Sequence, residues 1–460
     1  MSSTATPLTS LLPVSIEAMR QPVQEGHTRP LAWRLEQLRR LEALLEAAAL
    51  PLLEALAEDL GKPPMEASFE RLAIRQELQL TRRQLRRWMA PRAVGLPAWA
   101  RPARATLQSE PLGCVLIIGP WNYPFQLTLH PLVSALAAGN SAVLKPSEHA
   151  PRTAALIAGL VQAHFPPETV QVICGDGQTA ATLLQERFDH IFFTGGGRVG
   201  RLVMAAAAAH LSPVTLELGG KSPAIVLEGA ELATTARRLA WGKSINAGQT
   251  CIAPDHLLVT PQLRQPLVEA IAAEWRRFHG DDPLNSPHLG NIVNRAQFER
   301  LETLLQGARQ RGQVLAGGRS DAATLRIEPT LIEVSDPERD PLMQEELFGP
   351  LLPVVTVPDL EDALQMVRRG SKPLALYLFG GDGRARRRVL ETSSSGGVVF
   401  NDVILHAGLA ELPFGGVGES GMGNYHGEAG FRTFSHQRSV LSRPFWLDLP
   451  FRYPPYTMPL

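Results

Sequence analysis

The sequence predicts an α/β protein built on parallel sheets, and two observations lead there. From Gly113 onward, short apolar runs at residues 114–118, 142–144, 170–174, 190–193 and 224–227 alternate with helical patterns. Strands of that length with helices between them indicate βαβ units and a parallel sheet. The runs are also continuously apolar, as strands covered on both faces are. A chain of 460 residues, 44% hydrophobic, supplies a large core and about three domain-sized units.

The flanking regions have other textures. Residues 31–60 carry Leu35, Leu38, Leu41, Leu44 and Leu45 at helical spacing, with Arg and Glu between them. That pattern predicts one or two amphipathic helices. Residues 91–102 are rich in Pro and Ala and read as a linker or excursion. A second α/β texture follows the strand run, with helices near 231–247, 266–278 and 296–311. Glycine is dense over 413–430. Residues 443–460 hold five prolines and several aromatics, too many prolines for a helix. That apolar tail is expected to pack on a partner subunit or near a pocket mouth. No internal repeat is visible.

Composition narrows the function. Lys plus Arg and Asp plus Glu balance at 45 each, with no dense basic run. Nucleic acid and anionic membranes are therefore not expected, and a small molecule in a pocket is. Three cysteines do not make a disulfide framework. There is no Cys-x-x-Cys pair, and no two of the 12 histidines lie four apart, so no metal site is expected. No basic segment precedes the apolar run in residues 1–13, so a secretory signal is not expected. No stretch approaches the ~18 apolar residues of a membrane span. A cytoplasmic protein is the default expectation.

Two motifs mislead. Gly416, Gly418 and Gly421 fit G-x-G-x-x-G, but Pro413 and Phe414 precede them and more glycine follows. A dinucleotide fingerprint needs a strand before and a helix after, so a tight loop is the better reading. Gly220-Lys221-Ser222 looks like the end of a P-loop, but Thr215 stands where its first glycine belongs.

Five segments can carry chemistry. Pro120-Trp121-Asn122-Tyr123-Pro124 ends a strand in a sharp turn that presents an asparagine. An amide donates hydrogen bonds without changing charge, which suits an oxyanion hole; the alternative is a turn-forming asparagine. Lys145, at the end of the next strand, reads as a ligand for hydroxyls or phosphate, or as a solvated surface charge. Residues 192–200, Phe-Phe-Thr-Gly-Gly-Gly-Arg-Val-Gly, run from an apolar strand through glycines into a helix reading 198–210. That is an anion cradle or an ordinary glycine-rich turn. Glu217, between two leucines, is a part-buried base or a solvated strand end. Cys251 follows the polar stretch Asn246-Ala247-Gly248-Gln249-Thr250, whereas Cys114 and Cys174 lie in apolar runs and suit inert core positions.

In this order, the segments resemble one family, the aldehyde dehydrogenases, over about residues 31–455. The resemblance is most specific at 120–124, 217–221, 248–251, 345–350 (Glu-Glu-Leu-Phe-Gly-Pro) and 413–423. Residues 248–254 and 421–427, with the apolar tail, resemble the class 3 branch of fatty, aromatic and coniferyl aldehyde enzymes. The resemblance implies a Rossmann-like cofactor-binding domain (1–92 and 112–218), an α/β catalytic domain (219–415) and small oligomerisation segments (93–111 and 430–460).

It also implies roles. Cys251 attacks the aldehyde, Asn122 stabilises the oxyanion, and Glu217 activates the water that hydrolyses the thioester. Lys145 and Glu346 match the positions that hold the cofactor riboses, and Phe348 lies beside the nicotinamide ribose. Gly195, Gly196 and Gly200 match the pyrophosphate turn; Gly196 and Gly197 replace the polar residues common there. Trp121 and Leu218 complete the cofactor contacts. Glu148 faces the adenosine ribose and favours NAD, with NADP as the alternative. Tyr123 and Trp241 are the candidate substrate-tunnel aromatics, Trp241 with core packing as its alternative. A homodimer acting on an apolar aliphatic or aromatic aldehyde is implied. The competing readings are a CoA-acylating enzyme, against which Glu217 speaks, and a non-catalytic structural relative.

Overall fold

The computed structural model describes residues 13–449 and 452–456. Among these, two mainly parallel sheets, one three-stranded antiparallel sheet and a small antiparallel pair, Ser320–Asp321 with Arg326–Ile327, organise the chain. The first runs Gly421–Met422, Val214–Glu217, His190–Thr194, Cys114–Ile118, Ser141–Lys145 and Val170–Val172. Only Gly421–Met422 pairs antiparallel. Its central strands are buried almost throughout, as their continuous hydrophobicity requires.

The second runs Val314–Ala316, Thr330–Val334, Leu351–Thr356, His256–Val259, Pro223–Val226, Ala375–Phe379 and Gly397–Phe400. All its pairings are parallel except that of Val314–Ala316. The run at 224–227 therefore opens this second sheet and does not extend the first. The third sheet joins Arg92–Val94, Arg104–Pro111 and Ser435–Ser442. The excursion expected at 91–102 begins in this sheet.

Register brings the functional segments to one edge. Ile118 is level with Lys145, and Thr194 with Glu217. Four parallel strands thus end together, and their following turns share one crevice, where open α/β sheets bind ligands.

The helices Leu31–Ala47, Pro51–Leu60, Leu232–Ser244, Pro261–His279 and Arg295–Gln310 match the expected segments within a few residues. The helix expected at 198–210 spans Gly197–Ala208. Helices not expected from the sequence include Ile16–Gln24, the 26-residue Pro64–Met89, Leu360–Arg369, Gly383–Thr392 and Gly427–Thr433.

One expectation changes, and two others can be placed. Cys174 is exposed, not core. Its strand lies at the sheet edge and stops at Val172, so no neighbouring strand covers the thiol. The glycine segment at 416–421 closes on itself through a Gly418–Gly421 bridge, as a tight loop does. In the apolar tail, Phe445 and Trp446 are exposed, and none of its described residues lines the cavity that holds Cys251. Residues 1–12, 450–451 and 457–460, to which the leader reading and part of the tail reading refer, lie outside the described residues.

Candidate active site

Asn122 sits in the turn after Cys114–Ile118 and is buried. Its amide donates to the Gln249 carbonyl at 3.0 Å. Its own carbonyl accepts from Lys62 Nζ and from Asn246 Nδ2, each at 2.8 Å. The asparagine turn and the cysteine loop are therefore tied together directly.

The cysteine loop has an unusual backbone. Asn246, Ala247 and Gly248 take φ of 51°, 52° and 72° in succession. Such left-handed residues cost energy unless the surroundings hold them. Gln249 supplies much of that hold. Its side chain donates to Asn246 O (3.0 Å) and Asn291 O (2.9 Å) and accepts from Val293 N (2.9 Å). Gly248 permits close packing, since a Cβ there would stand 2.4 Å from the Gly349 carbonyl oxygen.

Cys251 follows this loop, partly exposed, in the wall of a cavity of about 430 Å3. Tyr123 and Trp241, the two expected tunnel aromatics, line the same cavity. Phe69, Leu72, Phe414 and Tyr425 also line it, none of them foreseen from sequence. Tyr123 Oη meets Thr250 Oγ1 at 2.7 Å. Burial, with the Glu346 and Glu217 carboxylates behind it, pushes the Cys251 thiol above its ordinary range.

Glu217 ends Val214–Glu217 and is 3% exposed. Neither carboxylate oxygen has a hydrogen-bond partner. Burial alone pushes its pKa well above the usual carboxylate range. The solvated alternative for this residue is therefore excluded.

The remaining expected residues gather at the sheet edge. Lys145, buried, donates to Glu148 at 2.7 Å. Burial works to raise the Glu148 pKa, but the Lys145 ammonium outweighs it and holds the carboxyl low. Gly195 N–H donates to Glu217 O at 3.0 Å. Gly196 caps the start of Gly197–Ala208 with open space where a Cβ would be. Gly200 packs on Leu218, whose Cδ2 would lie 2.8 Å from an added Cβ. Trp121 and Phe348 meet edge to face, ring centroids 5.3 Å apart.

Glu346 lies against Gly219, and burial, then the Asp255 charge, raises its pKa to about 8. Lys221 steadies that loop by pairing with Asp255 and donating to Leu342 O and Glu345 O, both at 2.9 Å. Asp255 in turn accepts Leu347 N at 2.9 Å. That is what the P-loop-like lysine does here. A helix N-terminus behind open glycines, an aromatic pair and a buried lysine at a strand end fit a dinucleotide.

These features bring together a partly exposed cysteine in a cavity wall, a buried carboxylate without partners and a helix N-terminus behind glycines. The sequence pattern of the Aldehyde dehydrogenase family matches residues 13–440, and the chain belongs to that family. It oxidises aldehydes to carboxylic acids with NAD or NADP. Within the family, it is 46% identical to aldehyde dehydrogenase family 3 member B1 of Bos taurus, over 96% of this chain and 94% of that one. It is 42% identical to the dimeric NADP-preferring aldehyde dehydrogenase of Canis lupus familiaris, over 96% and 97%. The substrate-bound Staphylococcus aureus AldH structure superposes with a TM-score of 0.93 at 38% identity, covering 98% of this chain and 97% of that one. Among the described residues, no helix is long and apolar enough to cross a membrane.

Proposed function

We propose that Cys251 is the nucleophile, Asn122 an oxyanion donor and Glu217 the base for thioester hydrolysis. The observation that carries this is Glu217: a buried carboxylate with both oxygens unpartnered, whose charge bears on Cys251. A structural glutamate would be hydrogen-bonded.

Burial keeps the Cys251 thiol protonated, so attack on the aldehyde needs that proton removed. That proton leaves to solvent in the cavity, on which Cys251 opens. An amide has two N–H groups, and Asn122 commits one to Gln249, leaving the other for the oxyanion. The Cys251 backbone N–H is the second donor. When bound, NAD or NADP takes up the expelled hydride. Cys251 is left as a thioester, and Glu217, its proton released, activates water to free the acid.

Lys145 and Glu346 would hold the two riboses, Gly195, Gly196 and Gly200 the pyrophosphate, and Trp121, Leu218 and Phe348 the nicotinamide end. Glu148 faces a ribose hydroxyl and opposes a 2′-phosphate, which supports NAD over NADP. In the same reading, residues 1–92 and 112–218 bind cofactor, 219–415 carry the cysteine, and 93–111 with 430–460 join two copies in a cytoplasmic homodimer. The cavity walls, mostly apolar, support an apolar aliphatic or aromatic aldehyde, with Tyr123 and Trp241 contacting it. Cys251→Ser should abolish NAD reduction by an aldehyde while NAD affinity, read by calorimetry, stays unchanged. Retained turnover would reject the nucleophile.

A further inference from the structure

The helix Pro64–Met89 presents Glu66, Glu70 and Glu77 along one face, at offsets of four and seven residues. Each takes backbone N–H groups from a different loop of the site. Glu66 accepts Asn246 N at 2.8 Å, in the cysteine loop. Glu70 accepts Phe125 N and Gln126 N, both at 3.0 Å, just past the asparagine turn. Glu77 accepts Gly427 N at 2.8 and 3.0 Å, next to the cavity residues Tyr425 and His426.

Lys62, immediately before this helix, completes the arrangement. The Lys62 and Glu70 side chains are both 0% exposed, and they pair at 2.5 Å. The same ammonium donates to Asn122 O at 2.8 Å and stands 4.0 Å from the Tyr123 ring centroid. A buried ion pair is a poor device for stability alone, because desolvation offsets the attraction. This one instead grips the turn that carries Asn122 on both sides. Lys62 holds the carbonyl of Asn122, and Glu70 holds the two N–H groups that follow the turn.

We infer that Lys62 and Glu70 are positioning residues for Asn122, setting the direction in which its free amide N–H meets the oxyanion. The inference rests on Asn122 being that donor. Lys62 does not line the cavity that holds Cys251; its contacts on this turn are the Asn122 carbonyl and the Tyr123 ring, and the coupling to Asn122 is what a double-mutant cycle isolates. Losing one oxyanion donor costs roughly 10²–10³ in rate, and misaiming it costs up to the same amount.

A double-mutant cycle tests this with benzaldehyde as substrate and both NAD and NADP supplied. The variants are Lys62→Met, Asn122→Ala and the two combined. A further variant, Lys62→Met with Glu70→Gln, leaves no lone charge buried and so keeps the test alive should Lys62→Met alone fold poorly. Each is read for kcat/KM, for cofactor affinity by calorimetry and for melting temperature. Asn122→Ala and Lys62→Met should each lower kcat/KM about 100-fold with cofactor affinity unchanged. The combination should be no worse than Asn122→Ala by more than about twofold, because coupled residues are non-additive. Lys62→Met with Glu70→Gln should recover melting temperature and remain slow. Losses that multiply in the combination, or a rate that recovers together with melting temperature, would overturn the inference. An Asn122→Ala variant of normal rate would instead overturn the oxyanion reading itself.

Discussion

Glu70 and Glu217 are both buried, yet their surroundings are opposite. Glu70 shares a charge pair with Lys62 and two backbone N–H groups. Glu217 has no hydrogen-bond partner on either oxygen. A buried polar group left unpaired costs stability, and the proposed role as base would account for a carboxylate held at that cost. Satisfied carboxylates build the frame of this site, and the proposed base is the unsatisfied one.

Breaking each glutamate should therefore give different leading phenotypes. The largest effect is expected at Glu217→Gln. Turnover should fall about 10²–10⁴-fold, the usual range for a general base, with little change in melting temperature. Glu70→Ala should first lose stability, alongside the slower turnover expected of a positioning residue. It leaves the Lys62 charge buried and unpaired, which costs about 3–5 kcal/mol of stability by denaturant titration.

The pH profile sharpens the comparison. Burial raises the Glu217 pKa, so the carboxyl takes up its proton well above the ordinary range as pH falls. In the proposed mechanism its ionised form is the base. The hydrolytic rate should therefore decline with falling pH through that raised pKa, and this limb should vanish in Glu217→Gln. A limb that persists would assign it to another group.

The smallest effect belongs to the cofactor cleft. Glu148→Gln removes the charge proposed to oppose a 2′-phosphate. It should shift the NADP-to-NAD ratio of kcat/KM about tenfold toward NADP, roughly 1.4 kcal/mol.

The same contrast explains what the sequence could show. The strands Cys114–Ile118, Ser141–Lys145 and His190–Thr194 were legible because both faces are buried, leaving unbroken apolar runs. The turns holding Asn122 and Gly195 followed from those strand ends. The helix Pro64–Met89 was not legible because its buried face includes Glu70, Glu77 and Thr81, which read as solvent-facing. Their partners, Phe125, Gln126 and Gly427, lie 55, 56 and 350 residues away along the chain. Lys62 was invisible for the same reason. Cys174 misled in the other direction, since an apolar run cannot tell an edge strand from a central one. Glu217 itself was ambiguous locally; the missing partners appear only once the fold surrounds it.

Intact-protein mass spectrometry of Glu217→Gln after a single turnover, with benzaldehyde and excess NAD and NADP, tests the central claim most directly. A stable mass increase equal to the acyl group, located on Cys251 by peptide mapping and absent in Cys251→Ser, is the result expected. An unmodified Glu217→Gln protein that turns over at the normal rate would contradict it.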